Sequence, residues 1–110
     1  MLDLRLYIAQ RLTALIMVPL TLGHIAVMIY AIQGGLSAGE ILSRTQGSLG
    51  WALFYGTFVA AVSLHAAIGL RVIVHETFNL KGMGLSVFTW ATCALLLYTG
   101  ARAVIAVTFS

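Results

Sequence analysis

Charge is the scarcest property of this sequence. Of 110 residues only 8% are Asp, Glu, Lys or Arg, three of them acidic, whereas 61% are hydrophobic. Soluble domains carry about a quarter charged residues, so a water-solvated globular fold is excluded as the first reading. Proline and cysteine occur once each. The single Cys93 excludes an intrachain disulfide and a cysteine-rich metal centre, and within "TWATCALLLY" it is expected to be a small buried hydrophobe. The net charge of +3 does not signal nucleic acid, because the six basic residues are scattered around the ends of apolar runs. In that position they report topology.

What is present is long apolar sequence. Residues 12–39, 45–70 and 82–101 contain no Asp, Glu, Lys or Arg, and each reaches the roughly 18 to 20 residues that a spanning helix needs. The expectation is an all-α membrane protein in one domain, residues 1–110, with three transmembrane helices over about 6–32, 49–78 and 85–109. The first apolar run is too long for a cleaved leader and is expected to be retained. Pro19 lies inside the first span, where neighbouring helices can satisfy the freed carbonyl. Between the first two spans, Ser37 and Glu40 have capping-box spacing, and Ile41 and Leu42 suit a short helix on the membrane surface. The polar turn "NLKGMG" separates the second and third spans. Arg5, Arg11, Arg71 and Lys81 fall on one side and Arg44 and Arg102 on the other. That bias puts the N-terminus inside and the C-terminus outside.

Polar groups buried in the spans carry the functional signal. His65 sits near the middle of the second span. Phe58, Ala61, Val62, Ile68, Gly69 and Val72 share its helical face, with alanine and glycine one turn away on either side. A histidine packed against a neighbouring helix explains this. So does a wide, flat group such as a haem, which needs clearance, a neutral imidazole aimed at iron and basic groups for its propionates. Arg71 follows roughly 9 Å along the axis, suited either to a propionate or to snorkelling toward the interface. His75 and Glu76 gather beyond it at the membrane boundary, as anchors or as a polar headgroup and proton site. Arg11, beside Gln10 and Tyr7, is expected at the level of Arg71. Two guanidinium groups there would suit anionic or carbonyl oxygens. His24 lies roughly 10 Å deeper than His65 by the same measure, so unless a kink at Pro19 corrects the mismatch it is expected to pack and not to share an iron. Arg102 is expected to snorkel, and Trp51, Trp90, Tyr30 and Tyr98 to serve as belt or packing residues.

"QRLTALIMVPL" at 10–20 and "HAAIGLRVIVHE" at 65–76 resemble the membrane-anchor cytochrome b subunits of succinate dehydrogenase and fumarate reductase. H-x-x-x-G-L-R followed by an acidic residue is the specific part of that resemblance. It implies a bundle formed with a second membrane-anchor subunit, on which a flavoprotein and an iron–sulfur subunit dock at the inner face. Electrons then pass from succinate through flavin and iron–sulfur clusters in those partners to a quinone, with one haem b shared between the anchors. By this resemblance His65 is the axial iron ligand. Arg11 and Arg71 are propionate candidates, while Arg11, Tyr7, Gln10, His75 and Glu76 are quinone-site candidates. The implied location is the inner (cytoplasmic) membrane, in preference to the mitochondrial inner membrane.

The sequence departs from the family in two places. Tyr7 and Gln10 stand where the large anchor has a serine and a histidine, and Glu76-Thr77 stands where the small anchor has Asp-Tyr, so features of both anchors are mixed. A haem-free structural anchor of a fumarate reductase is the alternative, opposed by His65. A small proton-coupled transporter needs a carboxylate in mid-span and usually four helices; neither is predicted here.

Overall fold

The computed structural model describes residues 4–109 as four helices: α1 (Leu4–Gly34), α2 (Ala38–Thr45), α3 (Leu49–Phe78) and α4 (Gly82–Thr108). α1, α3 and α4 are long and apolar enough to cross a membrane. The bundle is 47 Å long, close to the roughly 40–45 Å of a bilayer with its headgroups. The chain is an all-α membrane protein with three spans, as its uncharged runs predict.

The helix boundaries follow local chemistry. Ser48 caps α3 by accepting from the Trp51 amide, and Asn79 ends it in the left-handed region at φ 57°. A short polar residue tolerates that conformation better than most. The expected six-residue turn is shorter than predicted, because Gly82 to Gly84 belong to α4 and only Asn79, Leu80 and Lys81 lie between the helices. Glycine disfavours a helix in isolation, but neighbouring helices sustain it inside a spanning one. Pro19 lies within α1 without ending it.

α2 closes the end of the bundle opposite the N-terminus. Ser37 caps the helix: the Glu40 amide donates to Ser37 Oγ at 3.2 Å, and that hydroxyl, in place of the Ser37 amide of a full capping box, donates to Glu40 Oε1 at 2.7 Å. Arg44 donates to the Gly35 carbonyl at 2.8 Å, just beyond α1, and lies over the Tyr30 ring. Thr45 donates to the Val107 carbonyl at 2.6 Å and Gly47 to that of Thr108 at 2.6 Å. Carbonyls at the end of α4 that lack helical partners are thereby satisfied by the connection before α3.

The helices pack through small residues. Ala61, Ala67, Ile68, Leu85 and Cys93 are the buried hydrophobic residues, so Cys93 is buried as expected. Gly100 lies against Val59 so closely that a β-carbon there would clash. Lipid tails offer helices no hydrophobic reason to associate, and close backbone approach through small residues supplies van der Waals contact instead. Buried Thr89 and Thr108 donate back to the carbonyls of Leu85 and Val104 in their own helix, at 2.8 and 2.6 Å, which makes their hydroxyls tolerable in an apolar interior.

Candidate functional site

His65 is half-buried on α3 where α1 crosses it. Its Nδ1 lies 3.1 Å from the hydroxyl of buried Thr13. His65 also borders an open groove of about 380 Å³ with Ala14, Met17, Val18, Thr21 and Leu22 of α1. The clearance differs in origin from that expected. Gly69 admits Gln10, whose Nε2 comes within 3.6 Å of where a β-carbon would sit, and Ala61 and Ile68 are buried. Packing within the chain therefore uses part of the small-residue stripe of α3. The open space beside His65 is bounded by α1.

The register of α1 against α3 is set by three contacts: Thr13 opposite His65, Gln10 opposite Gly69 and Gly23 against Phe54. It places Arg71 level with Tyr7, about one turn nearer the N-terminal end than Arg11. The expected shared level of the two arginines is not what the structure has, and they also diverge. At 100° per residue, Tyr7, Arg11, Ala14, Val18 and Leu22 form one stripe of α1. Arg11 is exposed on that stripe and lies 5.9 Å from the Tyr7 ring centroid. Arg11 therefore stands on the groove side, within about a turn of the level of His65.

Arg71 turns toward α4 instead. It donates to Thr89 at 3.2 Å and leaves its Nε buried without a partner. With Arg5, Ser86, Thr89, Trp90 and Cys93 it lines a pocket of about 470 Å³ among α1, α3 and α4. Two guanidinium groups thus line one pocket at this end of the bundle, but they belong to Arg5 and Arg71. The remaining candidates are dispersed. Gln10 is in the α1–α3 interface with a buried, unpartnered Oε1. His75 places Nδ1 2.9 Å from the Leu80 carbonyl in the α3–α4 turn. Glu76 is exposed in the last turn of α3.

His24 is remote from His65. It stacks on Phe58 with ring centroids 5.1 Å apart and meets Tyr55 edge-on at 6.3 Å. The register sets it roughly 16 Å from His65 along the bundle, farther than the sequence estimate, and it is a packing residue of an aromatic cluster that continues to Trp51 and Phe54. Among the described residues no group of three or more His, Cys, Asp or Glu side chains is arranged to hold a metal ion.

Residues 2–107 match the family of succinate dehydrogenase/fumarate reductase transmembrane subunits. The chain belongs to that family. No curated protein and no solved structure matches it significantly. The family's subunits serve a multi-subunit complex that uses quinone, so this transmembrane subunit works in the membrane with partner subunits.

Three residues of the subunit's candidate site escaped the sequence reading. Thr13 gave no signal, because a threonine in a spanning helix ordinarily bonds its own backbone, and its second bond to His65 appears only once the helices are in register. Thr89 is hidden for the same reason. Arg5 is legible as a boundary charge, but the pocket it lines with Arg71 depends on that register.

Proposed function

We propose that this chain is the haem-ligating membrane anchor of a succinate:quinone oxidoreductase, docking the flavoprotein and iron–sulfur subunits and helping to form the quinone site. The observation that carries the reading is His65: an imidazole in mid-span, held at Nδ1 and bordering a groove lined by small and apolar side chains. These residues fit a haem. The donor would be an imidazole nitrogen, the groove is open, and Arg11 stands on the same side for a propionate. When bound, haem b supplies a one-electron reservoir beside the quinone.

The chain's own residues do the remaining work. Arg71 and Arg5 present guanidinium donors to an anionic or carbonyl oxygen in the pocket they share, and the unpartnered Nε of Arg71 supports such a role. Tyr7 and Arg11 offer a second polar pair on the groove side. A carbonyl has no proton to give, so His75 donates from Nδ1 to Leu80 and can take up or release a proton at Nε2 without losing that bond. Glu76, one residue on and exposed, completes a proton path at the membrane boundary. The dispersal of Tyr7, Gln10, Arg11, His75 and Glu76 supports a quinone site closed by partner subunits.

One observation favours a haem-free fumarate reductase anchor, namely Gln10 filling the space left by Gly69. The groove beside His65 is separate from that contact, and the haem reading is preferred. Affinity purification of the tagged chain from its native membrane tests the proposal. It should bring down a flavoprotein and an iron–sulfur protein with succinate:quinone reductase activity and a b-type spectrum. A complex active but devoid of haem would favour the alternative.

A further inference from the structure

We infer that Thr13 is a positioning residue that holds His65 in the Nδ1–H tautomer and so keeps Nε2 unprotonated for iron; the inference rests on the haem reading above. A threonine hydroxyl has one hydrogen and two lone pairs. Thr13 Oγ1 lies 2.8 Å from the Ala9 carbonyl and 3.0 Å from the Gln10 carbonyl, neither of which can donate. The hydroxyl proton is therefore committed to its own helix, and the lone pair facing His65 at 3.1 Å must accept. Nδ1 then carries the ring proton. Nε2 is left with its lone pair.

The opposite assignment satisfies fewer groups. If Thr13 donated to Nδ1, it would abandon both carbonyls, and the proton on Nε2 would point to a site where no hydrogen bond of this chain receives it among the described residues. An N–H left without an acceptor in an apolar setting is unfavourable, and Nε2–H cannot bind a metal. Thr13 is itself 6% exposed, so water does not compete for the bond. The second function of the contact is orientation. Fixing Nδ1 fixes the ring plane and makes the imidazole a better donor, as outer-shell acceptors do for other ligating histidines.

The test compares the intact complex carrying wild-type chain, T13V and T13S, by haem retention through detergent washing and by the midpoint potential of the b-haem. T13V keeps the shape and removes the acceptor. It should lower haem affinity by roughly 10- to 100-fold and move the midpoint to more positive values, because the weaker imidazole donor stabilises ferric iron less. T13S should restore both. Should T13V fail to assemble, T13A removes the acceptor without adding bulk and replaces it. Unchanged retention and potential in T13V, or failure of T13S to rescue, would overturn the inference while leaving the haem reading intact. A wild-type complex without a b-haem band would instead sink the haem reading, and this inference with it.

Discussion

At the residue scale, two charges that the sequence set side by side are separated by one helix. Arg11 and Arg71 were matched in depth by assuming that both mark the same membrane boundary. The packed register is fixed instead by Thr13, Gln10 and Gly23, whose contacts with α3 leave the arginines a turn apart and on different sides of α1. Charges near span ends are poor rulers, because long side chains reach several ångströms along the axis. The two sites should respond differently. R11A is expected to weaken haem retention and quinone reduction while succinate oxidation by soluble artificial acceptors persists; equal loss of both activities would count against a local role. R71M, which keeps much of the volume but removes the donors, should raise the KM for quinone with little change in haem content. A haem spectrum altered as strongly as in R11A would place Arg71 at the macrocycle.

At the element scale, the expected span 49–78 coincides with α3, and the structure supplies the reason in Ser48, which caps one end, and Asn79, which turns the chain at the other. The start of α4 was not foreseen: its first residues include two glycines, and the cost of glycine in a helix is overridden where partners hold the backbone. α2 was foreseen from Ser37 and Glu40. Its task of satisfying the end of α4 was invisible, since Thr45 meets Val107 across 62 residues of sequence. Thr45→Val should therefore leave a buried carbonyl short of its donor and cost about 1–3 kcal/mol, read as a lowered unfolding midpoint in detergent with the absorption spectrum unchanged. Gly100→Val places a branched side chain against Val59 and should cost about 1–3 kcal/mol by overpacking. Wild-type stability in either variant would show that these contacts do not hold α4.

At the scale of the whole molecule, much of the apolar surface is exposed, including Leu15 at 69% and Trp90 at 64%. Lipid can cover most of it, but not comfortably the Tyr7 and Arg11 stripe, which starts about one turn inside α1 and continues along the groove beside His65. A second anchor on that stripe would shield Arg11 and complete the groove. Sidedness is testable through single cysteines introduced into a Cys93→Ala background. Lys81→Cys should label from the cytoplasmic side and Ser43→Cys from the opposite side, and the reverse pattern would invert the proposed orientation. Fold and family were legible because uncharged length and one motif encode them. The groove was not, because it belongs to the fit between two helices and to neither alone.

His65, and not His24, is the proposed iron ligand. The reduced-minus-oxidised spectrum of the purified complex tests this most directly. H65A should lose or strongly shift the b-haem α-band, whereas H24A, in which the aromatic cluster is disturbed roughly 16 Å away, should keep it. A complex that assembles with H65A and shows an unaltered band would rule His65 out as the ligand.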